Sequence, residues 1–267
     1  LISPGIWARP GGNFIDYYAT FNVTPTAFPS TVTLAIPDLA AIGAGEYTEG
    51  ASTTIRHAYP AQFNPTAIPN LEMWMDGNDL DANGAPDGLL AGDPVDAWID
   101  KTGNGYDFTG KRGDPSYSLQ NGRGVVDFDG DDGLWSSKSL YGEVPNFTIF
   151  SVARWTGGDN QRVISNYDDH NWFFGFHAYG KKSFYFGGGW LTNGGGGTGT
   201  AWHLHAATMN IADQGNTWFN GTKITTNGAG ANNTAYQPKR IQFGGWKTTS
   251  EFSKCEVAEF LVFDRVL

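Results

Sequence analysis

Short alternating runs of apolar and polar residues, broken by Gly, Asn, Asp or Pro, recur from residue 71 to the end of the chain and constrain it more than any other feature. Strand side chains point alternately to opposite faces. A run such as Phe147-Thr148-Ile149-Phe150-Ser151-Val152-Ala153 therefore places Phe147, Ile149, Ser151 and Ala153 on one face when extended. By this reading strands are expected near 71–75, 95–101, 107–109, 124–128, 134–135, 147–155, 161–166, 172–177, 183–187, 202–210, 216–219, 222–226, 239–243 and 256–263. Asn220-Gly221, between Trp218-Phe219 and Thr222-Lys223-Ile224, is a two-residue hairpin signal. No helix longer than two turns is read, and the Gly-rich stretch 187–199 reads as a mobile loop that exposes Trp190. Many short strands at regular spacing are the mark of a β-sandwich or barrel.

Composition agrees. Aromatic residues make up 15% of the 267 residues, charged residues only 16%, and Gly occurs 37 times. Sheets need aromatic faces and turn glycines, whereas disorder needs low hydrophobicity and high charge. The formal net charge of −10, without a basic run, argues against nucleic acid as a partner. Cys255 is the single cysteine, so an intrachain disulfide and a cysteine-type zinc cluster are both excluded. It reads as a small strand residue. No apolar run approaches the ~18 residues of a membrane span. The chain opens at Leu1 without Met and stops in mid-pattern at Leu267, which reads as a piece of a longer polypeptide.

Residues 1–66 differ from the rest. Pro recurs at 4, 10, 25, 29, 37, 60 and 65, and plausible strands lie at 13–23, 31–36 and 52–58. This is an irregular, β-containing N-terminal extension. It reads either as a remnant of a preceding domain or linker, or as an anchoring arm that pairs with other copies or subunits of an assembly by strand addition.

Five passages carry a resemblance. They are Ile68-Pro69-Asn70-Leu71-Glu72-Met73-Trp74-Met75-Asp76, Val95-Asp96-Ala97-Trp98-Ile99-Asp100-Lys101-Thr102-Gly103-Asn104-Gly105, Val126-Asp127-Phe128-Asp129-Gly130, Trp218-Phe219-Asn220-Gly221, and the terminal run from Val257 to Leu267. In order and spacing, residues 67–267 resemble the concanavalin A-like lectin/glucanase superfamily in its laminin-G-like bacterial and phage form. The resemblance implies an all-β fold, a jelly-roll sandwich of two antiparallel sheets with loops gathered at one rim. It implies function weakly, because the fold hosts lectins, adhesion modules, glucanases, lyases and virion parts.

Asp79-Leu80-Asp81-Ala82-Asn83-Gly84-Ala85-Pro86-Asp87 matches the first nine positions of a calcium loop, with oxygen ligands from Asp79, Asp81, Asn83 and Asp87 and Gly at the sixth position. Leu90 stands where a bidentate Glu would close the site, so a structural Ca²⁺ in an isolated Asp loop is the expectation, and a solvated turn is its alternative. The cluster Asp127, Asp129, Asp131 and Asp132 reads as a strand end and turn. The glucanase branch carries a Glu-x-Asp-x-x-Glu strand, which this chain lacks, and no catalytic residue is assigned. His203 and His205 share one strand face, as a metal-binding or proton-transfer pair or as half-buried sheet residues.

Glycan binding needs flat aromatic faces beside planar polar groups. The candidates are Trp155, Asp159 and Asn160 in one loop, Asp169, His170 and Trp172 in a second, and Trp190 in a third. Phe173 and Trp246 also adjoin such loops, while Trp74, Trp98, Trp202 and Trp218 are assigned to the core. The leading expectation is a non-catalytic recognition or adhesion module on a cell or virion surface that binds glycans. The alternatives are a decoration protein of a capsid, tail or filament that binds protein, and a polysaccharide-cleaving enzyme.

Overall fold

The computed structural model describes residues 64–143, 146–157, 162–177, 181–187, 190–193, 199–210, 215–224 and 237–267, together with four strands at 3–8, 15–20, 31–35 and 52–56. The chain forms two compact units, Leu1–Asn64 and Pro65–Leu267. In the first, β1 (Ser3–Ala8) pairs antiparallel with β2 (Ile15–Thr20), and β3 (Thr31–Ala35) with β4 (Ser52–Arg56).

The second unit adds β5 (Leu71–Asp76), β6 (Phe108–Arg112), β7 (Ser116–Gln120), β8 (Arg123–Asp129), β9 (Gly133–Ser136) and β10 (Asn146–Gly157). Then come β11 (Ile164–Asn166), β12 (Trp172–His177), β13 (Lys181–Gly187), β14 (Trp190–Asn193) and β15 (His203–Asn210). The last are β16 (Asn216–Phe219), β17 (Thr222–Ile224), β18 (Ile241–Phe243) and β19 (Lys254–Phe263). Among the described residues a 3-10 turn at Pro65–Ala67 stands in place of any α-helix, and no helix is long and apolar enough to cross a membrane.

All described pairings are antiparallel, and those of the second unit build two sheets. The eight-stranded sheet runs β17-β16-β15-β10-β19-β8-β7, with β5 also on β19; the seven-stranded sheet runs β14-β13-β12-β11-β18-β9-β6. The chain crosses between the sheets repeatedly, as in a jelly-roll sandwich. β10 gives alternate residues to the core: Phe147, Ile149 and Ala153 are buried, while Phe150 and Val152 point outward and stay partly exposed. Within the seven-stranded sheet Phe108 stacks on Phe243 at 4.6 Å, and across the sheets Phe243 meets Phe260 edge-on at 5.5 Å.

β19 is the spine of the eight-stranded sheet, and one of its edges serves two strands. Residues 254–257 pair with β8, residues 259–263 with β5. At the change-over the register against β10 slips between Val152 and Ala153. Core residues on β19 accordingly shift from Cys255 and Val257 to Phe260 and Val262, as a bulge requires. The junction is tight. Gly77 donates its N–H to Ala258 O, and a Cβ on Gly124 would lie 2.5 Å from Gly77 O and 2.2 Å from Tyr117 Oη.

Four expectations need correction. Residues 95–101 form no ladder strand: Val95, Trp98, Ile99 and Lys101 donate to Pro115, Phe108, Leu80 and Trp74 respectively, four different partners. β7 was not foreseen. Within 187–199, Trp190 opens strand β14, paired with β13. Trp98 is fully buried as expected, but Trp74, Trp202 and Trp218 are only half-buried, because Trp74 and Trp218 alternate out of the core and Trp202 precedes its strand under the Arg154 guanidinium.

Candidate functional site

The outer face of the seven-stranded sheet carries an unusual aromatic load. Trp172, Phe174 and Phe176 of β12 point into the core, so Phe173 and His177 stand on the other face. Ladder pairing extends this face sideways: Phe173 is opposite Ser165, Ser165 opposite Gln242, Gln242 opposite Trp135, and Trp135 opposite Gly110. Gly110 is obligatory there, since a Cβ would lie 1.9 Å from the Trp135 indole. On the other side Phe173 pairs with residue 186, which in turn pairs with Trp190.

The segment 244–253 folds over the middle of this face. Ser165 Oγ donates to Gly245 O at 2.5 Å, Gln242 Nε2 to Lys247 O at 2.7 Å, and Trp246 and Ser250 bridge each other. Lys247 (φ 58°) and Glu251 (φ 52°) hold left-handed conformations, which tighten the turn.

Arg162 is the centre of one side of this cover. It is 4% exposed, its guanidinium lying 4.5 Å from the Phe173 ring and 4.2 Å from the Trp246 ring. Nε and Nη2 donate to the Glu251 carboxylate at 2.5 and 3.2 Å, while Nη1 and the Trp246 indole N–H are buried without an acceptor among the described residues. Burial pushes the Arg162 pKa down and Glu251 opposes it. Lys247 lies 4.9 Å from the same Trp246 ring and pairs with Asp169, whose carboxyl it holds below the ordinary range. Trp190 is 40% exposed and meets Phe173 edge-on at 5.8 Å. On the other side Trp135 stacks on Tyr167 at 4.4 Å, and Arg240 covers Tyr167 while holding Asp168. The face thus offers aromatic edges interleaved with paired charges.

Of the residues expected from sequence, Asp169 and Trp190 lie on this face. His170 is half-buried in the turn before β12, and its carbonyl accepts the Trp172 N–H. Trp172 itself is a correction: it is fully buried, because β12 turns its even-numbered aromatics inward. Trp155 is a second correction, packed against the core from β10 of the other sheet. Asp159 and Asn160 lie outside the described residues. Arg162, Glu251, Trp135, Tyr167 and Arg240 were not foreseen as site residues, since only ladder pairing and the cover segment bring them together. His203 and His205 are buried, 8% and 2% exposed, beside Phe176 and Phe219.

The Asp loop follows β5 and is built around an internal cation. Asp79 is 2% exposed; its carboxylate accepts the N–H of Asn83 and of Gly84, each at 3.0 Å, and lies 2.7 Å from Lys101 Nζ. Lys101 also binds Asp76 at 2.9 Å, 4.3 Å from the Trp74 ring. Burial pushes the Asp79 carboxyl up, and the Lys101 and Gly84 bonds outweigh it, so its pKa is lowered. Asp81 binds Asn83, and Asp87 accepts the Leu80 N–H at 2.6 Å. The four expected calcium ligands are thus engaged in turn hydrogen bonds, with Lys101 at the charge centre. Among the described residues, the three acids whose ligand atoms converge within 4.8 Å are instead Asp129, Asp131 and Asp132. There Asp132 accepts the N–H of Asp114 and of Asp129, as a turn does.

No protein-family profile and no curated protein matches the chain. Its fold is similar to solved structures at low identity. One is domain 4 of AbnA, a GH43 extracellular arabinanase from Geobacillus stearothermophilus, in complex with arabinotriose: TM-score 0.48, 11% identity, covering 74% of this chain and 94% of that one. Another is Trypanosoma rangeli sialidase, at TM-score 0.47 and 12% identity, covering 75% of this chain and 31% of that one. A third is the binding domain of botulinum neurotoxin DC in complex with SialylT, at TM-score 0.42 and 13% identity, covering 74% and 48%. What the fold and the outer face define is an all-β, two-sheet sandwich with an aromatic, charge-paired surface on its seven-stranded sheet.

Proposed function

We propose that the chain is a non-catalytic recognition module of the concanavalin A-like, laminin-G-like kind, displayed on a cell or virion surface, that binds glycan on the outer face of its seven-stranded sheet. The observation that carries this reading is Trp190, 40% exposed and backed by Phe173, whose ring in turn carries the guanidinium of the Arg162–Glu251 pair. A sugar ring presents C–H groups to an aromatic surface and hydroxyls to planar polar groups at its edge, and this face offers both. The non-catalytic part is supported by the state of the local acids. Glu251, Asp169 and Asp168 are each bonded to a cation, and Lys247 holds the Asp169 carboxyl below its ordinary range, which makes it a poor proton donor.

The test is a glycan array with the full chain and with Trp190→Ala. A bound glycan should bind the variant about tenfold more weakly, a loss of ~1.4 kcal/mol. The thermal midpoint should hold, since Trp190 is a partly exposed strand-end residue. No glycan bound, or equal binding by the variant, would sink the reading.

A further inference from the structure

Beside the Asp loop lies a cleft of ≈ 200 Å³, separate from the outer face described above. Leu80, Leu89, Val95 and Ile99 form its walls, and Asp81 and Asp87 stand at its mouth. Asp96 also lines it and is held by Lys111 at 2.6 Å. We propose that this cleft is the docking point for a lysine side chain presented by a protein partner.

Three observations support this occupant. The first is charge. The nearby internal cation, Lys101, faces Asp76 and Asp79. The described side-chain contacts of Asp81 are to Asn83 and Asp79, and the charges acting on Asp87 are those of Asp81, Asp79 and Asp76. Burial, with that repulsion, holds the Asp87 carboxyl above its ordinary value. A cation at the mouth would relieve it. The second is shape. Apolar walls below a carboxylate mouth match an aliphatic stem ending in a compact ammonium. Pockets for whole small-molecule ligands run to about 300–1,000 Å³, so this cleft suits a single side chain. The third is its surroundings. Leu90, next to the Leu89 wall, is 70% exposed, and Pro94 is exposed at the rim. A partner chain that presents the lysine can also cover Leu90 and Pro94, which a free amine leaves bare.

The experiment is an NMR titration of the isotope-labelled full chain with a short capped alanine peptide holding a central lysine, and with its norleucine counterpart. The lysine peptide should give saturable shifts at the Leu80, Asp87, Val95 and Ile99 amides that weaken with salt. The norleucine peptide should bind about tenfold more weakly. The double variant Asp81→Asn, Asp87→Asn should lose the preference for lysine. Ala97→Lys, which puts a cation into the cleft from within, should abolish the shifts while the thermal midpoint holds; it serves where the double variant fails to fold. Absent shifts, equal binding of the two peptides, or undiminished binding by Ala97→Lys would overturn the proposal. So would spermidine binding as tightly as the peptide, which would make the ligand a free amine, or Ca²⁺ giving the same shifts more tightly, which would make the site a metal site.

Discussion

Replacing Asp127 by Asn should stabilise this protein at neutral pH and leave it unchanged in acid. Asp127 of β8 is the ladder partner of Glu256 of β19, and Glu256 is the partner of Arg154 of β10. Two carboxylates thus share one cation, and that cation bonds Glu256. Gln120 donates to Glu256 as well, at 2.9 Å. Burial first, then the charges of Glu256, Asp129 and Asp132, raise the Asp127 carboxyl from 3.8 to about 6, with Arg154 opposing. The folded state therefore holds a proton that the unfolded state releases between those two values. Stability falls as pH rises through that window and stays reduced above it; below 3.8 both states are protonated and nothing is lost.

Such a rise corresponds to roughly 3 kcal/mol if fully expressed. Asp127 is only half-buried, so solvent screening reduces the expected gain to about 1 kcal/mol. Asn keeps the shape of the protonated acid and removes the repulsion. Urea denaturation across pH is the assay, with thermal melts beside it. Near neutral pH the variant should gain about 1 kcal/mol, or about 2–4 °C in Tm for a domain of this size. The two curves should merge at acid pH. A gain equal at every pH, or a loss near neutrality, would refute the like-charge account of this row.

Lys101→Met should destabilise by about 3 kcal/mol, because Asp79 then keeps a buried charge without its cation, and the loss should shrink in acid. Urea denaturation at two pH values checks this. Calcium and chelator are both expected to leave the wild-type Tm in place, since Lys101 already stands at the charge centre; a calcium-dependent rise would refute that reading. Gly124→Ala should cost about 3 kcal/mol, because its Cβ would meet Tyr117 Oη and Gly77 O at 2.2 and 2.5 Å. A neutral result in the same assay would count against the close junction of β5 and β8.

Much of the fold was legible because its cause is local. Strand alternation needs only neighbouring residues, and the hairpin at Asn220-Gly221 needs only its own two, which do take positive φ of 47° and 79°. What stayed hidden depends on partners distant in sequence. Residues 95–101 alternate like a strand, yet their amides bond to four separate segments, and only the folded chain decides whether extended backbone joins a ladder. The Asp loop showed its carboxylates plainly. That their cation is Lys101 could not be read, because nothing local distinguishes it from any other surface lysine.

The same limit explains the aromatic candidates. Alternation tells which residues share a face but not which face is inward. In the run Trp172-Phe173-Phe174 both choices are locally consistent, and the core takes the larger indole together with Phe174 and Phe176, which turns Phe173 outward. Parity is not even constant along one strand: the slip in β19 moves the inward set from Cys255 and Val257 to Phe260 and Val262. Arg162 is the extreme case. Its ring partners and its carboxylate come from β12 and from the segment after β18, and sequence offers no reason to join them. Yet a guanidinium buried at 4% exposure costs desolvation that an apolar side chain of like size would avoid. Its place on this face is therefore better explained by what it positions, Trp246 on one side and Phe173 behind Trp190 on the other, than by what it adds to stability.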